Sequence, residues 1–237
     1  MFNLKNRLSV IGESLAGLFF PRLCPACSGV LHSNENILCL NCASEFPRTN
    51  FHYDPENDVA KLFWGRVMIK NAASFFYYQK GSRFQNLIHE MKYHNQQHLG
   101  VDLGRWYGHE LLNTSFCHAD LIHPVPLHYT KQKRRGYNQS EQIAIGLSEV
   151  LAIPLETGLI ERAINTDTQT RKSKFERWSN VEGIFRLIRP EKLIKKHVLL
   201  VDDVITTGST LEACAVPILS AEGTTVSILT LAFARLQ

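Results

Sequence analysis

The stretch HVLLVDDVITTGST, residues His197 to Thr210, decides the fold of this chain. Val198, Leu199, Leu200 and Val201 form a short run of β-branched and leucine side chains. Such a run reads as a strand buried on both faces of a parallel sheet. Two adjacent carboxylates, Asp202 and Asp203, follow it directly. Thr206, Thr207, Gly208, Ser209 and Thr210 come next, small hydroxyl residues around one glycine, ahead of a helical pattern. Strand, acidic pair, hydroxyl-rich turn and helix start together place a site at the carboxyl end of a strand. Open α/β sheets bind ligands there.

The residue types state the chemistry. A turn at a helix N-terminus offers unpaired backbone N–H groups and the positive end of the helix dipole, which suits a phosphate. Gly208 lets the backbone approach closely, and the hydroxyls add donors without bulk. The acidic pair is wrong for phosphate but right for the vicinal hydroxyls of a ribose, directly or through a metal ion. A ribose 5-phosphate fits the run from end to end. The alternative is a capped helix after a buried strand, with the acids merely solvated; two acids followed by T-T-G-S-T disfavour it. There is no Gly-Lys-Ser/Thr of a Walker A loop and no G-x-G-x-x-G dinucleotide fingerprint.

VLLVDDVITTGST resembles the 5-phosphoribosyl pyrophosphate (PRPP) motif of the type I phosphoribosyltransferases: hydrophobic residues, two acids, then T-T-G-x-T. The resemblance implies a parallel α/β sheet core and PRPP with Mg²⁺ as the ligand. It also implies the 5-phosphate on Thr206, Thr207, Gly208, Ser209 and Thr210, with the ribose hydroxyls on Asp202 and Asp203.

A chain of 237 residues, 44% hydrophobic and 10% aromatic, can build one large domain or a domain with a small appendage. Its formal charge of +4 allows nucleic-acid binding without demanding it. In residues 1–20, Leu4, Leu8, Ile11, Leu15, Leu18 and Phe19 recur at helical spacing, and Glu13 interrupts the apolar run. This predicts an amphipathic helix rather than a signal peptide. Nothing later approaches the roughly 18 consecutive apolar residues of a membrane span, and the protein is expected in the cytoplasm.

Cys24-Pro-Ala-Cys27 and Cys39-Leu-Asn-Cys42 are two C-x2-C turns eleven residues apart. Each brings two thiolates to one side, and two such turns complete a tetrahedral structural zinc site. Disulfides or a redox C-x-x-C are the alternatives; a reducing cytoplasm and the doubling of the motif disfavour them. Cys117 and Cys214 stand alone, as ordinary buried thiols. Residues 47–65 read as an irregular linker packing back on the core. Val67–Tyr78 predicts a strand pair or a broken strand, and Ser82–Tyr93 and Leu99–Leu112 predict helices.

DLIHPVPL, Asp120 to Leu127, opens a second constellation. A buried strand ends at Leu121-Ile122, and Pro124-Val125-Pro126 forces a rigid turn. Lys131, Lys133, Arg134 and Arg135 then crowd into a basic turn, a natural seat for an anion. Asn138 and Ser140 read as caps of a helix from Gln139 to Leu151. Residues 157–180, with Arg171, Lys172, Lys174 and Arg177, are polar and basic; a lid over the site and a solvated loop are equally compatible with them. Thr225–Ala234 predicts a last buried strand, and Pro217 is expected to kink or shorten the helix before it.

PVPLH at 124–128 and RRGYNQ at 134–139, downstream of the cysteine pairs, are similar to the ComF family of competence-associated proteins. Gln169–Arg171, Glu176-Arg177 and Asn180–Phe185 resemble that family's flexible loop and following strand, and Lys92-Tyr93 its lysine–tyrosine pair. The resemblance spans about residues 20 to 235. It implies a pyrophosphate seat at Val125, Pro126 and Leu127 with Arg135, Arg171 and Lys172. Asp202, Asp203 and Arg135 are the candidate catalytic groups. It also implies a role in DNA uptake, and two readings stay open: transfer of the ribosyl group of PRPP to an acceptor the sequence does not name, or a non-catalytic binding module that touches single-stranded DNA and the DNA-uptake machinery. The expected layout is an amphipathic helix at 1–20, a four-cysteine zinc module at 21–46, a linker at 47–65 and a phosphoribosyltransferase-like domain at 66–237.

Overall fold

The computed structural model describes residues 21–93, 96–162 and 184–235. In chain order the elements are α1 (Leu40–Ser44), α2 (Asp58–Lys61), β1 (Ala72–Tyr78), α3 (Gln85–Tyr93), α4 (Gln97–Leu111), β2 (Leu121–Pro124), α5 (Tyr129–Arg135), α6 (Gln139–Leu151), β3 (Ile160–Arg162), β4 (Phe185–Leu187), β5 (His197–Ile205), α7 (Ser209–Leu219) and β6 (Thr225–Ala234). β1, β6, β5 and β2 lie side by side in that order, every pairing parallel. β3 and β4 form a separate antiparallel pair. The parallel α/β sheet expected from the sequence is present.

Both central strands are covered on both faces, so they read as near-continuous apolar runs. On one face Phe75, Ile122, Leu199, Val201, Leu229 and Leu231 pack against α3, α4 and α6. On the other, Leu121, Val198, Leu200, Val226 and Ile228 meet α7, the β3–β4 pair and the segment around α2. An added Cβ at Gly146 of α6 would stand 2.0 Å from the carbonyl oxygen of Val101 in α4. These two helices therefore cross backbone on backbone, which fixes the N-terminus of α6 beside the end of β5.

Local chemistry sets several boundaries. The helix from Gln139 to Leu151 and the strand from Thr225 to Ala234 fall where periodicity put them. Residues 67–78 yield one strand, beginning at Ala72, and not a pair. Pro217 lies in the last turn of α7, which stops two residues later at Leu219. The stretch read as an irregular linker contains α2, capped by Asn57, whose Oδ1 accepts from the N–H groups of Val59 and Ala60. The Asn57 amide donates to the carbonyl of Ala72 at 2.8 Å, tying that helix to the start of β1.

The four-cysteine segment shares the first of the two cores. Cys24, Cys42 and Phe46 are buried with Phe75, Phe76 and Phe84. The Phe46 ring lies 4.6–5.6 Å from those of Phe75, Phe76, Phe84 and Trp106. Cys214 is buried as expected, but Cys117 is half-buried, its thiol donating to the Thr114 carbonyl. The helix expected at 1–20 and the basic loop with Arg171 and Lys172 lie outside the described residues.

Candidate functional site

β2 pairs with β5 only from Leu121 opposite Val198 to Pro124 opposite Val201. Val125 adds a last hydrogen bond, its N–H donating to the Val201 carbonyl at 2.8 Å. The prolines then turn the chain away, while β6 stays with β5 as far as Ile205 opposite Phe233. Asp202 and Asp203 therefore lie inside β5 rather than after it, on the edge that β2 has vacated. This corrects the sequence reading, which ended the strand at Val201.

The two acids are wired differently. Asp202 Oδ1 accepts from the Ser140 hydroxyl at 2.7 Å and from the Asp203 N–H at 2.9 Å. Withdrawal from water, and then the neighbouring Asp203 charge, push the Asp202 pKa up to about 7, against the pull of those two donors and of Lys92. Asp203 Oδ2 pairs with Lys92 Nζ at 2.8 Å, the side chains 13% and 21% exposed. Ser140, read as a cap, has its own N–H capped by Asn138 and spends its hydroxyl on Asp202. Lys92 had been marked only by family resemblance, and Ser140 only as a cap. Both reach the acids from other segments, so no local pattern could report the contacts.

The hydroxyl turn forms as expected. Gly208 takes the left-handed conformation (φ 76°) at the N-cap of α7 and brings no side-chain cap. The first turn of α7 borders a small cavity of about 40 Å³, lined by Asp202, Val204, Ile205 and residues 206–211, and its Ser209 N–H donates to Thr207 Oγ1 at 3.4 Å. Thr207 and Ser209 join hydroxyls at 3.0 Å. Thr206, Thr207, Ser209 and Thr210 are exposed. Helix N-terminus, glycine and hydroxyls are the groups that suit an anion, and they lie beside the acids.

The basic segment is a helix, α5, where the sequence suggested a turn. His128 caps its first turn, its Nδ1 accepting from the N–H of Thr130. Lys133 and Arg134 are exposed, and neither has a carboxylate partner among the described residues. Arg135 donates to Gln139 Oε1 at 2.8 Å, its guanidinium 5.9 Å from the Tyr93 ring centre. The Tyr137 hydroxyl donates to the Met91 carbonyl, and the Asn138 amide donates to the Val125 carbonyl at 3.0 Å. The turn carrying Val125, Pro126 and Leu127, the start of α6 and the end of α3 are thereby stitched together around the acids. Val125 is buried, and Pro126 and Leu127 are half-buried.

In the amino-terminal segment, the sulfur atoms of Cys24, Cys27, Cys39 and Cys42 all lie within 4.8 Å of one another, a set that could hold a metal ion. All are free thiols, so the disulfide alternative is not realised. Burial works to raise the Cys24 pKa, but N–H donors from Cys39, Cys27 and Ala26 prevail and bring it to about 7. Burial pushes Cys42 up to about 12 despite the Arg83 guanidinium 3.6 Å away. The Glu35 carboxylate accepts from the N–H groups of His32 and Leu40 and fixes the loop between the two turns.

Comparison with known proteins agrees with this architecture. The phosphoribosyl transferase domain family matches residues 117–236. Competence protein F of Haemophilus influenzae is 31% identical over 204 residues, 81% of this chain and 89% of that protein. The DNA utilization protein YhgH of Escherichia coli O157:H7 is 34% identical over 211 residues, 87% of this chain and 88% of its own. YhgH of Escherichia coli K12 is 32% identical over 198 residues, 81% of this chain and 82% of its own. With the parallel sheet, the acidic pair in β5 and the four-cysteine cluster ahead of them, the chain belongs to the ComF family of the type I phosphoribosyltransferases.

Proposed function

We propose that this protein binds PRPP with Mg²⁺ at the end of β5, transfers its ribosyl group, and serves DNA uptake in natural competence. One observation carries the reading: an acidic pair and a helix-terminal anion cradle open side by side on the edge that β2 vacates. The N–H groups and hydroxyls of Thr206–Thr210 hold the 5-phosphate. Asp202 and Asp203 accept the ribose hydroxyls. Val125–Leu127 and Arg135 face the pyrophosphate, and Arg171 and Lys172 are assigned to it by family resemblance alone. Cationic donors placed where charge develops on the departing oxygens stabilise the transition state electrostatically. The donors available here, carboxylate and phosphate oxygens, are the hard ligands Mg²⁺ requires. Mg²⁺ bound with PRPP adds Lewis-acid polarisation of the leaving group.

The cysteine cluster fits zinc. A tetrahedron of Zn–S bonds of about 2.3 Å has sulfur–sulfur edges of about 3.8 Å, and Cys27 and Cys39 stand 3.7 Å apart. Four thiolates leave no open position, so the role is structural.

A second reading rests on α5. Its Lys133 and Arg134 are unpaired by carboxylates among the described residues, while Tyr129 and Tyr93 are 71% and 57% exposed nearby in the chain and across it. Basic side chains with open aromatic faces suit single-stranded DNA, in which case the fold serves as a binding module. Isothermal titration with PRPP–Mg²⁺ and with an oligonucleotide, side by side, decides between them. The transferase reading expects PRPP binding that is lost in the Asp202→Ala/Asp203→Ala double variant. Full PRPP affinity in that variant rules the acid assignment out.

A further inference from the structure

Arg66 and Phe63, in the turn after α2, pack against the hydroxyl turn from a segment about 140 residues earlier in the chain. Arg66 Nη1 donates to the Thr207 carbonyl at 2.9 Å and to the Leu62 carbonyl at 2.9 Å. Its Nη2 reaches Ser209 Oγ at 3.5 Å and forms an ion pair with Glu212, in the first turn of α7. A Cβ at Gly208 would stand 3.1 Å from the ring of the buried Phe63. Neither side chain lines the cavity that residues 206–211 surround. They support the cradle from behind. The support is itself anchored: Arg66 and Val67 donate to the Phe63 carbonyl, and Asn57 ties α2 to β1.

Two physical effects follow. The carbonyl of Thr207 and the N–H of Gly208 share one planar trans peptide and point in opposite directions. Holding the carbonyl outward, on Arg66, therefore turns the Gly208 N–H towards the cradle. Glu212 is an anion within the first turn of the helix whose N-terminus must receive an anion. Unpaired, it would oppose a phosphate; paired with Arg66, it does not. A guanidinium fork can do both jobs at once, whereas an ammonium is a point charge.

We infer that Arg66 is a positioning residue for phosphate at Thr206–Thr210, aiming the Gly208 amide and neutralising Glu212. The inference deepens the phosphoribosyl reading and rests on it. The test is titration of wild type, Arg66→Ala, Arg66→Lys and Glu212→Gln with ribose 5-phosphate and, separately, with pyrophosphate–Mg²⁺. Arg66→Ala should weaken ribose 5-phosphate about tenfold, the scale of one charge-assisted hydrogen bond. Pyrophosphate, seated at Val125–Leu127, should bind unchanged. Arg66→Lys should recover part of the loss, and in the Glu212→Gln background Arg66→Ala should cost less than it does alone. Wild-type binding of ribose 5-phosphate with equal affinity in Arg66→Ala overturns the role of Arg66 and leaves the phosphoribosyl reading standing. Equal losses for both ligands also overturn it, since they mean general damage. A wild-type protein that binds neither ligand removes both readings together.

Discussion

Opposed effects act on the half-buried Asp202 carboxylate. Ser140 and the Asp203 N–H donate to its carboxylate, yet burial and the Asp203 charge lift its pKa to about 7. An ordinary carboxyl titrates near ~4. Between those limits the folded protein keeps a proton that the unfolded chain has released. Stability therefore falls as pH rises from about 4 to about 7, and stays at the lower level above that. Asp202→Asn should flatten this slope, so urea unfolding from pH 5 to pH 8 should show wild type losing stability that the variant keeps. If the ionised form accepts a ribose hydroxyl, PRPP affinity should climb with pH across the same window in wild type alone. Parallel pH curves for the two proteins would remove Asp202 from the account. At this scale the sequence declared the residue types, because strand, acids, glycine and hydroxyls are contiguous. It could not declare Ser140, Lys92 and Arg66, whose side chains converge on that run from three other segments.

Among the elements, the four-cysteine segment carries the sharpest expectation. Its four sulfurs lie within 4.8 Å of one another, and Cys24, Cys42 and Phe46 lie in the same core as β1 and β6. Purified protein should hold about one zinc per chain. Cys39→Ser should release it and lower the melting temperature of the whole chain, because the segment cannot loosen without exposing Phe75 and Phe76 to solvent. Metal analysis finding no zinc in protein prepared under reducing conditions would end the assignment. Spacing made these turns readable, since a metal constrains residues close in sequence. Periodicity failed for α5, where seven polar and basic residues present no apolar face for a pattern to show. It failed again at 67–78, where Val67 and Ile69 belong to the packing around α2 and not to a strand. The caps were legible where a single side chain does the work, as with Asn138.

Lys133 and Arg134 of α5 carry no carboxylate partner among the described residues, beside the Arg135 assigned to pyrophosphate. If single-stranded DNA binds α5, it does so mostly by neutralising phosphates, and its affinity should fall with salt by a log–log slope of about −0.7 per phosphate contacted. Arg135 is shared between the two proposals, so PRPP and DNA should compete and Arg135→Ala should weaken both. DNA binding undiminished in saturating PRPP would separate the two surfaces and direct attention to the cysteine segment. The sheet's existence was legible from its buried runs, but its order was not, because pairing is decided between strands far apart in the chain. That order has a consequence for how the protein is made. β6, the last strand in the chain, is an interior one, inserted between β1 and β5. Among the described residues β1 has no other strand beside it in the sheet, so during translation it waits until Thr225–Ala234 has been made. Such non-local closure is slow and leaves apolar edges open to aggregation meanwhile. A truncation that removed β6 would not trim an edge from this sheet. It would leave β1 stranded and β5 paired on one side only, so the ten residues of β6 complete the sheet when they leave the ribosome.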